Sequence, residues 1–402
     1  MHSLMISDVF FPRINGVSTS IESFREALAP LGIRTSLIVP AYPAQTASSE
    51  MPSIHRIRSL PLPFDPEDRL MMRGTIRKLL PALREDPPDL IHVQTPFAAH
   101  YAGLEIARAL GIPCVASYHT YFEEYLFHYI PLLPRNWLRR LARSFSRGQC
   151  NDLDGIVVPS RAMVETLGSY GVTAPLHVLP TGLAESRFVG GNGDFFRLRY
   201  GIPADRKVLL YVGRVAFEKN IEFLLDMLLT LKARQPDAML LITGEGPALG
   251  ELQHRSANLG LSEFVRFIGY LDRHTELHDC YRAADLFVFA SRTETQGLVL
   301  LEAMALGTPA VALAEMGTRD ILEGERGCRI APNDPAGFAE LVADLLENPA
   351  TLKLLSIEAR QYARSWSAQG MAARLSALYG MWTGKSAGIT RIDAPTAAEN
   401  AI

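Results

Sequence analysis

Residues 285–309 read DLFVFASRTETQGLVLLEAMALGTP, and this stretch decides the fold. Leu286 to Ala290 are apolar at every position, the pattern of a strand covered on both faces in a parallel sheet. Ser291 to Gln296 are polar and break the run. From Leu298 to Leu306 apolar residues recur at helical spacing, with Gly307 as a stop and Pro309 beyond it. Strand, loop, helix and the start of another strand make a repeating unit of an open α/β sheet. Ligands of such sheets sit at the C-terminal strand edges.

Two carboxylates lie in this unit. Glu294 is in the loop at the strand's C-terminal end. Glu302 lies about five residues into the helix, roughly 7–8 Å along its axis. The helix start near Gly297 and Leu298 offers free backbone N–H groups and a positive dipole end, which suit a phosphate. A carboxylate deeper in the helix suits hydroxyl donors such as those of a ribose. A helix cap and one solvated glutamate would also explain the two residues, so the flanking sequence has to separate the readings.

E-x7-E after a buried strand, ending in LLEAMALGTP, closely resembles the signature of the family 4 retaining glycosyltransferases. That resemblance implies the GT-B architecture: two Rossmann-like, doubly wound parallel-sheet domains facing across a cleft. In it Glu294 would hold sugar hydroxyls, Glu302 the ribose, and Gln296, Gly297 and Leu298 would line the donor.

Composition bounds the rest. The 402 residues suit two or three domains and a sizeable core. Apolar content of 48% and charged content of 21% are ordinary for a globular chain. A net charge of −3 argues against general nucleic-acid affinity. No apolar run reaches the roughly 20 residues of a spanning helix. MHSLMISDVF lacks the basic start and long apolar stretch of a signal peptide, so a cytoplasmic location is expected. Cys114, Cys150, Cys280 and Cys328 have no CxxC spacing, which predicts reduced thiols and no zinc site.

In the N-terminal half, Leu4–Val9 reads as a strand, followed by FFPRINGVSTSI. Pro12, Asn15 and Gly16 make a turn, and Ser18 is expected to cap the helix running toward Leu28. The N-G-V loop looks like the family's first loop, which faces donor sugar and phosphate, so Asn15 and Gly16 are donor-site candidates. Strands at 37–40, 54–57, 90–94, 115–118 and 155–159 alternate with helices at 69–84 and 98–110, the pattern of a parallel doubly wound sheet.

His119 follows a strand within ASYHTYFEEYLFHYIP, although a lone histidine is commonly structural. H-T-x-[FY]-E-x-Y-x-x-H-Y-x-P resembles the diacylglycerol glucosyltransferase branch of family 4. By that resemblance His119 approaches the donor sugar, and Tyr121, Glu124 and His128 lie near the acceptor. In LLPRNWLRRLARSFSRG, Arg135, Arg139, Arg140, Arg143 and Arg147 carry five positive charges with no acid between them. Trp137, Leu138, Leu141 and Phe145 fall at helical spacing. Such a helix can lie on an anionic bilayer, or pack on a core with its basic face solvated. Arg69, Arg73, Arg77, Lys78 and Arg84 are expected to form a second basic patch.

In the C-terminal half, GRVAFEKN follows the strand Lys207–Val212. Two cations, Arg214 and Lys219, at a helix start oppose its dipole and suit a bound anion, though Lys219 could instead pair with Glu218 or Glu222. G-R-x-x-x-E-K-N is similar to the family's diphosphate-gripping motif. Gly244, Gly246 and Gly269 sit in loops that, in the family, line the nucleotide base through backbone atoms. The loop at Met316-Gly317-Thr318 is expected to help hold the sugar.

Four segments are expected: 1–185 for the acceptor, 186–365 for the nucleotide sugar, 366–385 returning over the first domain, and a disordered tail at 386–402. The resemblance implies a retaining hexosyltransferase that uses a nucleotide sugar, UDP-glucose first, on a lipid or glycolipid such as diacylglycerol. No cofactor or metal is expected, the partners are nucleotide sugar, acceptor and an anionic membrane surface, and the protein is expected on the inner face of the plasma membrane. A GDP-mannose-dependent mannosyltransferase or a lipopolysaccharide or exopolysaccharide enzyme shares the C-terminal motifs. A nucleotide-sugar epimerase needs acid/base groups that cannot be placed, and a non-catalytic sensor would be expected to lose Arg214, Lys219 or Glu294.

Overall fold

A computed structural model describes residues 1–13, 15–42, 53–62, 65–119, 135–273 and 275–385. The expected acceptor residues Tyr121, Glu124 and His128 and the expected tail at 386–402 lie outside these described residues. The chain divides into two compact units. The first comprises Met1–Ser117, Asp152–Gly155 and the segment from Ala372 onward, and the second comprises Tyr118–Asn151 and Ile156–Met371.

The first unit contains β1 (His2–Ile6), β2 (Arg34–Pro40), β3 (Ile54–Ile57), β4 (Ser59–Leu62), β5 (Asp65–Met71), β6 (Leu90–Val93) and β7 (Cys114–Ser117). Five of them form a parallel run in the order β3-β2-β1-β6-β7. β1 and β6 are buried throughout, as strands covered on both faces must be. The helices Gly16–Leu28 and Ala98–Leu110 supply the connections. Tyr379 of the C-terminal helix is fully buried, and its hydroxyl lies 2.6 Å from His92 Nδ1 on β6.

One expectation fails here. Residues 69–84 are not a basic helix: β5 pairs with β4 as an antiparallel hairpin, and two short helices, Arg73–Arg77 and Leu80–Glu85, follow. Arg69 and Leu70 are taken by the hairpin ladder, and Pro81, which cannot donate an N–H, sits in the first turn of the second helix. The expected patch is also partly neutralised, because Arg77 pairs with Glu105 at 2.6 Å and Arg73 lies 3.9 Å from the same carboxylate.

In the second unit, residues 156–158 of β8 (Gly155–Val158) pair in parallel with β9 (Leu176–Val178). A six-stranded parallel sheet follows, with β10 (Val208–Val212), β11 (Met239–Thr243), β12 (Val265–Gly269), β13 (Leu286–Phe289), β14 (Ala310–Ala312) and β15 (Cys328–Ile330). Its order is β12-β11-β10-β13-β14-β15. β10, β11, β13 and β14 are buried at every position. Asp285, first residue of the deciding stretch, accepts from Val208 N at 2.8 Å and from Arg197 at 3.0 Å, which pins the start of β13 beside the start of β10. From β10 the chain winds outward to β11 and β12, and then returns to β13 and winds the other way. The carboxyl ends of β10 and β13 therefore form the topological switch point, where open α/β sheets bind ligands.

Candidate functional site

The switch point gathers three of the four residues expected to be catalytic. Beyond β10, Gly213 has φ of 152° and Arg214 is exposed. The hydroxyl of Tyr211, fully buried under the turn, donates to the Arg214 carbonyl at 3.1 Å, and its ring stacks on Phe289 of β13 with centroids 5.7 Å apart. Burial first, then the neighbouring carboxylates of Glu294 and Glu218, push the Tyr211 phenol well above its ordinary pKa.

Lys219 closes the short 3-10 turn Phe217–Lys219, one residue before the helix Ile221–Leu231. The residue between them, Asn220, is left-handed (φ 55°) and its side-chain amide donates to Ala290 O at 3.1 Å, at the end of β13. That bond holds the Lys219 turn against the Glu294 loop. Lys219 Nζ meets Glu294 Oε1 at 2.5 Å, rather than Glu218 or Glu222. The pairing spans 75 residues of sequence, and only the sheet brings the two together.

Glu294 is held by its main chain as well: Gly317 N donates to Glu294 O at 2.8 Å. A Cβ on Gly317 would lie 2.0 Å from Thr295 O, so only glycine allows this approach. Thr295 Oγ1 donates to His119 O at 3.2 Å, which places His119 beside the same loop. Burial pushes the His119 imidazole down to about 4, so it is neutral near pH 7. The helix Leu298–Ala305 begins on Gly297, which is left-handed with φ of 93° and gives no side-chain cap to its first N–H groups.

Other expected residues are engaged inside the fold. Gln296 is buried and clamps the main chain of one residue: its Oε1 accepts from Thr181 N at 2.9 Å and its Nε2 donates to Thr181 O at 2.7 Å. Glu302 is 5% exposed. Its Oε2 accepts from the Tyr281 hydroxyl at 3.1 Å, and its Oε1 lies 3.4 Å from Arg273 and 3.9 Å from Arg187. Sequence reasoning missed Arg187, Arg273 and Tyr281; no spacing ties them to Glu302, and only the fold does.

Gly244 and Gly246 have φ of 122° and 158°. A Cβ there would meet Gly213 O at 2.0 Å and Val215 O at 2.3 Å, so this loop lies directly on the Arg214 turn. Gly244 N donates to Gly269 O at 2.8 Å, joining the third glycine to the same edge. In the first unit Asn15, not Ser18, is the N-cap of its helix. Its side chain accepts from Ser18 N at 2.9 Å, and Ser18 answers from the N3 position as a capping box. Gly16 opens the helix, and a Cβ added to it would meet nothing within 4 Å, so the backbone there is accessible.

The expected apolar stripe of the basic helix splits. In Arg135–Asn151, Leu138 is buried, while Trp137 and Leu141 are 54% and 45% exposed, flanked by exposed Arg139, Arg140 and Arg143. Arg143 also lies over the Tyr170 ring at 5.3 Å. The Arg135 side chain lies outside the described residues.

Parallel sheets in two units, and a cation–carboxylate pair at the switch point of the second, mark that sheet edge as the candidate ligand site. Comparison with known proteins agrees. A family model described as glycosyl transferases group 1 matches residues 194–365, and one described as glycosyltransferase family 4 matches residues 14–187. An alpha-monoglucosyldiacylglycerol synthase of Streptococcus pneumoniae is 31% identical over 375 residues, covering 90% of this chain and 83% of the relative. A GDP-mannose-dependent alpha-mannosyltransferase of Mycobacterium tuberculosis is 28% identical, covering 82% and 83%. The fold matches that of Anabaena Alr3699/HepE solved with UDP, with a TM-score of 0.75, 17% identity and coverage of 95% and 100%. The chain belongs to the family 4 glycosyltransferases of GT-B fold.

Proposed function

We propose that this glycosyltransferase moves glucose from UDP-glucose to a hydroxyl of a membrane lipid such as diacylglycerol, giving an α-glycoside with retention. The observation that carries the reading is the convergence of Arg214, Lys219 and Glu294 at the switch point of the second unit. The bond from the anomeric carbon to the diphosphate oxygen breaks, and its electron pair leaves with the diphosphate. A bond from the acceptor oxygen to the anomeric carbon replaces it, and the acceptor's proton passes to the departing phosphate oxygen. Arg214, Lys219 and the helix start after Gly297 stabilise the charge that develops there, an electrostatic contribution that calls for no metal. Glu294 orients the hexose hydroxyls, Glu302 takes the ribose, and neutral His119 contacts the sugar. The donor falls to 186–365 and the acceptor to 1–185.

The lipid acceptor is supported by the name of the 31% identical relative and by the exposed Trp137 and Leu141 among arginines. Such a face suits peripheral binding to the anionic inner leaflet. The mannosyltransferase relative supports a second reading with GDP-mannose. The test is release of nucleoside diphosphate from UDP-glucose and from GDP-mannose, with and without diacylglycerol vesicles. Lipid-dependent UDP release is expected. Lys219→Ala should weaken nucleotide binding and cut turnover by at least about a hundredfold, the scale of losing one transition-state donor. Full turnover in that variant would remove the phosphate grip.

A further inference from the structure

The lysine assigned to the diphosphate is held by the carboxylate assigned to the hexose. Lys219 Nζ lies 2.5 Å from Glu294 Oε1, and the two side chains are only 19% and 21% exposed. Both ends are fixed: Asn220 ties the lysine turn to Ala290, and Gly317 ties the glutamate main chain. A ligand that draws Lys219 away leaves Glu294 partly buried without its cation, which is unfavourable unless new donors reach it.

We infer that Glu294 makes the site discriminate between donor and spent nucleotide, and so drives product release. This rests on the reading of the site as a nucleotide-sugar site. A nucleotide sugar takes Lys219 through its diphosphate and returns hexose hydroxyls to Glu294, so both halves of the broken pair are satisfied. A free nucleoside diphosphate takes Lys219 and returns nothing. Its terminal phosphate also carries about one more negative charge than the esterified phosphate, and it faces an uncompensated carboxylate. During transfer the positive charge developing at the anomeric carbon offsets Glu294. The new bond from the acceptor oxygen quenches that charge, and once the neutral glycoside leaves, Glu294 recaptures Lys219 and the diphosphate is expelled.

The test is calorimetric titration of the full chain with UDP and with UDP-glucose, and with GDP and GDP-mannose in parallel, alongside UDP inhibition of turnover. Glu294→Gln keeps the shape and removes the charge. It should tighten UDP binding about fivefold, the scale of losing a competing, partly exposed ion pair. UDP-glucose should gain less or weaken, so the preference for donor over product shrinks. Glu294→Ala should move UDP binding the same way, and melting temperature checks that both variants are folded. If the wild-type chain binds UDP but neither variant binds it more tightly, the release role is overturned and the transferase reading stands. If the wild-type chain binds no nucleoside diphosphate, the transferase reading falls and this role with it.

Discussion

Asp8, two residues past β1, is 4% exposed, and its carboxylate does the work of a missing helix cap. Its Oδ2 accepts from Thr95 Oγ1 at 2.8 Å and from Ala99 N at 3.1 Å, at the start of the helix Ala98–Leu110, where Phe97 provides no side-chain cap. Burial outweighs these bonds and raises its pKa from 3.8 to about 6. A carboxylate raised on folding binds its proton more tightly in the native state, so its contribution is fully present below pH 3.8 and is lost as pH rises through about 6. Integrated over that window the loss is about 3 kcal/mol. Asp8→Asn, which can still accept from Ala99 N, should flatten the fall in stability between pH 4 and 6 when denaturant midpoints are followed against pH. An unchanged profile would mean that another group titrates. Nothing in the sequence around Asp8 signals this role, because the helix it caps starts 90 residues later. Glu294, Lys219 and Arg214 were legible as candidate residues because their types and spacings suit one chemistry. Their pairing was not, since nearer acids stand at Glu218 and Glu222.

At the scale of elements, apolar patterning placed β6, β7, β8, β10 and β13 within a residue, because strands covered on both faces have to be apolar throughout. The failures occurred where polar residues decide. The segment 69–84 has helical charge spacing but is captured at its start by cross-strand pairing with β4. The helix Arg135–Asn151 was recognised, but its buried face was not: Leu138, Ala142 and Ser146 turn inward and leave Trp137 and Leu141 outside. That exposed pair among arginines yields a prediction. Reversing charge at Arg139, Arg140 and Arg143 should release the protein from phosphatidylglycerol vesicles in a co-sedimentation assay. Each group contributes on the order of 1 kcal/mol near an anionic surface, so the loss should exceed about tenfold in partition. Unchanged sedimentation would return the helix to an ordinary solvated face. Among the described residues no helix is long and apolar enough to cross a membrane.

At the scale of the whole molecule, the last described helix, Ala368–Thr383, closes the first unit. Tyr379 reaches His92 at 2.6 Å, and His92 Nε2 reaches Ser117 Oγ at 2.9 Å at the end of β7. Trp382 packs where a Cβ on Gly155 would lie 2.6 Å from its ring nitrogen. Tyr379→Phe leaves a buried imidazole nitrogen without this partner, a loss of about 1–3 kcal/mol in stability by chemical denaturation. A change below a few tenths of a kcal/mol would mean that the hydroxyl is dispensable to the packing.

The chain's own order of residues determined the α/β class, the alternation of strands and helices, and the residue types at the candidate site. Each of these rests on local periodicity or on the chemistry of a short motif. Tertiary structure alone decided that Lys219 faces Glu294, that Gln296 clamps Thr181, and that Glu302 lies among Arg187, Arg273 and Tyr281. These contacts join residues 21 to 115 positions apart. Partners at such range are chosen by which strand edges the fold makes neighbours, and no local pattern encodes that choice.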